Sequence, residues 1–232
     1  MTFMADPISP EFRRHVETFY TLVPRDDDER VADNLIDIMA AGMDRKQSLK
    51  SILEQVARFV FRQFGFSEVA IGLKDRREPV WRYEVALGFT KEIEARIFRT
   101  RYDRDDMYSQ ERFPNIKIGK LAELNIAEGR PVIETDKYDR PYRWTANRTA
   151  VTEFLPGDFI DVWMVDEKKE FIGWIEVSGP KDKKQPPRST VRWLELLASV
   201  CSEIVRYRWG EEAASAATRA SPSTEATLNP GT

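Results

Sequence analysis

The chain has 232 residues, 41% hydrophobic and 11% aromatic, enough for a real core in one domain with extensions or in two small ones. With 36 basic against 39 acidic residues and a net charge of -3, it lacks the basic excess of a general nucleic-acid binder. One cysteine and one histidine exclude a disulfide framework and a zinc site of the usual N/S type within one chain.

The first ten residues contain no apolar run to serve as a signal peptide, and no segment reaches the ~18 apolar residues of a membrane helix. The expectation is a soluble, cytoplasmic protein with no membrane partner. Ser9-Pro10-Glu11 caps and starts a helix carrying Phe12, Val16, Phe19, Tyr20 and Val23, and Pro24 stops it. Asp26 to Asp28 start a second helix with the stripe Val31, Leu35, Ile38, Met39, ended by Gly42. Asp44, with Gln47 three residues on, predicts the cap of a third helix. Its apolar face runs from Leu49 through Ile52, Leu53, Val56 and Val60 to Phe64, and Gly65 ends it. Val69, Ile71 and Leu73 alternate with smaller residues, which predicts a half-buried strand. Across a charged turn, Trp81, Tyr83, Val85 and Leu87 share one face of a partner strand, with Arg82 and Glu84 on the other. The two form a hairpin.

Residues 89–156 are the least regular. Lys91 to Arg101 reads as a helix, 103–106 as loop, and Leu121 to Glu128 as a short helix. Pro131 to Glu134 reads as a strand and 136–147 as a polar, aromatic loop. A long irregular insertion between strands typically covers a binding cavity. Phe159–Val165 and Phe171–Val177 then form a second hairpin, apolar enough to sit at the centre of a sheet covered on both faces. The last helix, from about Ser189 to Trp209, has two apolar stripes. One is Val191, Leu194, Ala198, Cys201 and Val205. The other is Trp193, Leu196, Leu197, Val200, Ile204 and Tyr207. One stripe can cover the sheet and the other needs another partner. From Gly210 the composition turns to Ala, Ser, Thr, Glu and Pro, which predicts a disordered tail over 210–232.

Several stretches, in this order, resemble a GAF domain, the small-molecule sensor fold related to PAS. Residues 49–60 resemble its opening helix and Ser67 to Gly72 its first strand. Residues 126–133, with Glu-Gly-Arg-Pro-Val, resemble its turn into a strand. Phe171 to Val177 resembles its Gly-x-x-Glu-Val strand, and 196–205 its closing helix. The resemblance covers roughly 45–209. It implies an α+β fold: an antiparallel sheet with the opening and closing helices on one face and a loop- and helix-covered pocket on the other. Residues 1–43 are then an N-terminal helical extension, and 44–209 the domain proper. It also implies a homodimer through terminal helices, for which Val191, Leu194, Ala198, Cys201 and Val205 are the candidate interface.

The residues point away from catalysis. Reductases and pigment binders of this family use pocket cysteines, whereas Cys201 lies in the closing helix, where a buried structural role fits a free thiol. His15 lies beside an apolar stripe with no positioned partner. Asp103, Asp105 and Asp106 resemble part of a calcium loop, but the later positions do not fit, and a solvated loop is the reading. No enzyme, cofactor or metal is therefore expected. The candidate ligand-binding set is aromatic: Trp81, Tyr83, Tyr138, Tyr142, Trp144, Trp163 and Trp174, with Arg143 among them and Arg140 and Arg148 near. Arginines there favour an anionic ligand. The bland reading is that the aromatics fill the core and the arginines are solvated. Asp161 and Glu176 are charges within apolar strands and need partners if they point inward. The functional expectation is a non-enzymatic sensory or regulatory module that binds a small molecule and signals through a helix-mediated dimer to a separate output protein. The alternative is an interaction or dimerisation module with a filled pocket.

Overall fold

A computed structural model describes residues 27–109, 113–127 and 148–220, with positions 11, 14 and 18 besides. Helix α1 (Asp27–Met43) starts with Asp27, Asp28 and Glu29 at its positive dipole end. Val31, Leu35, Ile38 and Gly42 are buried, while Met39 is exposed. Gly42 is more than a terminator, since an added Cβ would overlap Ile204. Helix α2 (Leu49–Gln63) is capped by Ser48, which accepts from the Ser51 amide at 3.1 Å, and not by Asp44. Asp44 instead closes a turn on the Lys46 amide.

Strands β1 (Phe66–Lys74) and β2 (Trp81–Leu87) make the first hairpin. Helix α3 (Lys91–Ile97), strand β3 (Arg101–Tyr102) and helix α4 (Arg104–Tyr108) follow. The predicted helix over 91–101 is thus shorter. The predicted loop over 103–106 contains a capping box, in which Asp103 and Asp106 each accept from the other's amide. Strands β4 (Asn115–Lys117) and β5 (Ala122–Asn125) pair antiparallel. The helix expected from Leu121 is therefore the strand β5, its Ala122 and Leu124 turned toward the helices. Strands β6 (Phe159–Val165) and β7 (Phe171–Pro180) form the second hairpin, and α5 (Arg188–Ala220) closes the chain. The strand expected at 131–134 lies outside the described residues.

All pairings in the sheet are antiparallel and its order is β3-β2-β1-β7-β6-β5-β4. The expected central position of the second hairpin is met by β7, which lies between β1 and β6. One face carries α2 and α5, and α1 packs on both helices. Trp193 Nε1 donates to Asp28 at 2.9 Å near the start of α1, and Ile204 meets Gly42 near its end. The two helices therefore run parallel.

The main core lies between this helical layer and the sheet. It includes Val56, Val60, Ile71, Ile160, Ile175, Leu194, Leu197, Ile204 and Val205, all at most 2% exposed. Strand β1 is buried on both faces from Val69 to Leu73, which corrects the half-buried expectation. Val191, Leu194, Ala198, Cys201 and Val205 are also buried in this core. The expectation that they form a dimer interface is thereby corrected: this stripe faces its own sheet, and only Leu196 of the second stripe is substantially exposed. Helix α5 also continues through Gly210 to Ala220, where a disordered tail was expected. Alanine and glutamate there are good helix formers. Glu211 accepts from the Tyr207 hydroxyl at 2.9 Å and pairs with Arg45.

Candidate functional site

The opposite face of the sheet is chemically different. Two bulges decide which side chains reach it. In β1–β2 the register steps between Ile71 and Gly72, so Val85 opposes Ile71 while Tyr83 opposes Gly72. Glu84 is the extra residue. Val85 thus enters the main core, and Tyr83 and Trp81 turn to the other side, against the expectation that all three share a face. In β6–β7 the step after Met164 leaves Ile172 as the extra residue, so Ile172 joins the main core while Trp174 faces away from it.

The result is a second cluster of Ala70, Trp81, Tyr83, Tyr102 and Trp174, flanked by Met107, Phe113, Trp163 and Phe171. Tyr83 meets Trp174 edge-on at 5.0 Å between centroids, and Tyr102 meets Trp174 at 5.9 Å. Trp163 lies tilted on Phe171 at 4.2 Å. Gly72 makes the arrangement possible, because a Cβ there would overlap the Trp174 indole.

Asp161 and Glu176 point into this face. They are direct partners across β6 and β7 and are 7% and 5% exposed. Glu176 accepts from the Tyr83 hydroxyl at 2.7 Å, and Asp161 accepts from Asn125 Nδ2 at 3.0 Å. With Asp106, Met107, Phe113 and Phe159 they line a cavity of about 30 Å³, room for one or two waters.

Of the predicted ligand-binding residues, the structure gathers Trp81, Tyr83, Trp163 and Trp174 in or beside this cluster. Tyr138, Tyr142, Arg143 and Trp144 lie outside the described residues. Arg148 has a different role. It forks onto Asp158 at 2.9 and 3.2 Å and donates to the Glu153 carbonyl. Asp158, fully buried, also accepts from the amides of Ala127 and Leu155. This clasp anchors the start of β6, and Arg148 is neither solvated nor turned to a ligand. Tyr102, Asp106 and Phe113 were missed as lining residues, and Asn125 as the partner of Asp161. They come from short elements or connecting chain that show no periodicity; the sequence flagged Asp161 and Glu176 within apolar strands but left open which way they point.

A wider groove, about 700 Å³, lies between the two hairpin turns and α5, lined by Lys74, Arg76, Glu167, Glu203, Arg206 and Trp209 among others. Its charges engage one another: Arg206 pairs with Glu167 and Glu203, and Arg76 with Glu212. Cys201 is buried, and burial pushes its thiol up to about 12, far from a nucleophile's range. Among the described residues no group of acidic, histidine or cysteine side chains could hold a metal, and no helix is long and apolar enough to cross a membrane.

No protein family model matches the sequence, and no curated protein does. Solved structures do match. The GAF domain of a putative sensor histidine kinase from Pseudomonas syringae pv. tomato is 10% identical, with a TM-score of 0.51, over 82% of this chain and 94% of that one. The GAF domain/HD domain protein from Geobacter sulfurreducens is 13% identical, with a TM-score of 0.50, over 69% and 93%. A bacteriophytochrome from the photosynthetic bacterium R. palustris is 12% identical, with a TM-score of 0.52, over 84% of this chain and 41% of that longer one. Identities this low speak to fold alone, and the fold agrees: with a seven-stranded antiparallel sheet among the described residues, helices on one face and an aromatic cavity on the other, the chain has a GAF-like α+β fold.

Proposed function

We propose that this chain is a non-enzymatic sensory or regulatory module that binds a small molecule on the aromatic face of its sheet. The observation that carries the reading is the pair of buried carboxylates, Asp161 and Glu176, set among Tyr83, Tyr102, Trp163 and Trp174. A filler layer has no need of charge, and burying it is costly. A few polar groups converging in an aromatic cavity are the usual form of a binding site. The GAF domain of a putative sensor histidine kinase shares the fold. Ligand binding would act by shifting populations of the cover over the sheet, read out by a second copy of this chain or a separate output protein.

The dimer surface we propose is not the buried stripe of α5 but the outer side of the α1–α5 pair. Ile36, Met39 and Met43 on α1 are 64%, 48% and 47% exposed, and Leu196 on α5 is 46% exposed. A second copy would cover them. The second reading, an interaction module with a filled pocket, is favoured by the small cavity volume.

Native mass spectrometry of gently purified protein separates the two. A dimer with a reproducible extra mass supports the sensor. A dimer with no added mass supports the filled module. A monomer overturns dimer signalling. Leu196→Glu together with Met39→Glu should then dissociate the dimer while the melting temperature of the protomer stays put, since exposed substitutions typically move stability by no more than ~0.5 kcal/mol.

A further inference from the structure

We infer that two loops beside the start of α5, residues 149–153 and 181–188, form a docking surface for an anionic lipid bilayer. The inference goes beyond the sensory reading and does not depend on it. The loops are joined as a short ribbon. The Phe154 amide donates to the Lys183 carbonyl at 2.9 Å, and the Gln185 amide to the Thr152 carbonyl at 2.9 Å. Gln185 Nε2 donates to the Val151 carbonyl at 3.1 Å, and Glu153 opposes Lys184 in an antiparallel bridge. The Lys181 amide donates to the Gly65 carbonyl, and its Nζ lies 5.7 Å from the centre of the Phe61 ring. The end of α2, with Arg62, therefore adjoins the same loops.

Lys181, Lys183, Lys184, Arg188 and Arg62 are exposed, and none makes an ion pair among the described residues. The acids of the two loops build turns: Asp182 accepts from the Lys184 amide, and Glu153 from the amide and hydroxyl of Thr149. The acids that start α1 are engaged as well, Asp28 by Trp193 and Asp27 by Arg30. Cations thus dominate this surface in a chain whose net charge is -3. Lys183 also has a φ of 57°. That left-handed backbone favours glycine, so a lysine there points to use of its side chain.

Val151 decides the kind of partner. It is 88% exposed, in the loop that pairs with the lysines. At a bilayer surface an apolar tip enters the interface, while lysine stems lie along it and their ammonium groups reach the head groups. Lysine is depleted at protein interfaces, and these loops contain no aromatic anchor. A nucleic acid would use the cations but would give Val151 no role and find no ring for base stacking. No described helix is long and apolar enough to cross a membrane, so the contact is peripheral.

Flotation of the full chain with phosphatidylserine–phosphatidylcholine vesicles, against pure phosphatidylcholine vesicles, tests the proposal. Binding to the anionic vesicles alone is expected, and it should weaken as salt rises. Each cation near an anionic surface contributes about fivefold, so Lys183→Gly with Lys184→Gln should weaken binding about 25-fold. The melting temperature should stay the same or rise, because glycine suits the left-handed position. Val151→Ser should weaken binding by about threefold or more at every salt concentration. Equal binding to both vesicles, binding to neither, or an unchanged affinity in the lysine variant overturns the proposal. If that variant does not fold, Lys184→Gln with Arg188→Gln takes its place. A Val151→Ser variant that binds like the parent also overturns it, since any polyanion would then serve. A duplex oligonucleotide and polyglutamate are titrated at the same salt concentration. If either binds more tightly than the anionic vesicles, the surface belongs to nucleic acid or to an acidic protein segment, and the bilayer is overturned.

Discussion

The two faces of the sheet are built from different chemistry although both draw on β1, β2, β6 and β7. On one side Val56 and Val60 of α2 and Leu194 and Leu197 of α5 meet Ile71, Ile160, Val162 and Ile175 of the sheet, all aliphatic and at most 1% exposed. On the other side lie Tyr83, Tyr102 and Trp174 with Asp161 and Glu176. Aliphatic side chains can be buried without hydrogen-bond partners, so the first face can be sealed by helices. Tyrosine, tryptophan and carboxylate bring polar atoms that must be satisfied, so the second face is a network. Each buried aliphatic side chain contributes about 1.5–3 kcal/mol, which places most of the stability on the helical side. The aromatic face is where specificity can be tuned at smaller cost to folding.

The harshest test of this division is Val205→Glu. Val205 lies on α5 and is fully buried in the main core, and an unpaired carboxylate there should cost about 4 kcal/mol or more, a large part of the ~5–15 kcal/mol of a typical domain. Urea unfolding should show a much lower midpoint, or no folded protein. A variant that stays stable and only changes its oligomeric state would put this stripe back at a subunit interface. Next in size is Arg148→Ala. It leaves the buried Asp158 with two backbone amides and no guanidinium, at an expected cost of about 3 kcal/mol. A loss under ~1 kcal/mol in the same assay would show that the clasp does not hold the start of β6.

How far these features could be read in advance follows from element length. Helix α2, both hairpins and the body of α5 carry 7 to 33 residues, enough for periodicity to show, and the family resemblance supplied their order. The pairing of β1 with β7 joins residues about 110 apart, such as Glu68 with Ser178, and no local pattern encodes it. Strand β3 has two residues and β4 three, too few for any period, so Tyr102 went unnoticed. The bulges at Glu84 and Ile172 reverse side-chain faces with no change in composition. That is why Trp81 and Val85 were placed together and are not. Both stripes of α5 are apolar, and only the packing of α1 along it, through Trp193 and Ile204, reveals which parts stay open.

Gly72→Ala probes the border between the faces. The added methyl would overlap the Trp174 indole, which must shift. Overpacking of this kind costs about 1–3 kcal/mol. Near-ultraviolet circular dichroism should change with the ring's new setting, while far-ultraviolet helix signal stays constant. An unaltered aromatic spectrum would mean that Trp174 does not lie over the backbone of β1.

The smallest expected effect belongs to Glu84, the extra residue of the β2 bulge. Burial raises its carboxyl above the usual 4.5, and Arg82 offsets this only in part. A carboxyl raised in the folded state prefers its neutral form there, so ionisation opposes folding. The cost grows as pH rises from the ordinary glutamate value through the raised one and is constant above both. Glu84→Gln keeps the shape and removes the charge. At about pH 7 the variant should melt at a slightly higher temperature than the parent, and the difference should vanish below about pH 4, where the acid is protonated in both states. The same small gain at both pH values would assign it to shape, and a lower melting temperature at neutral pH would mean that the attraction of Arg82 and Lys50 for Glu84 outweighs its desolvation.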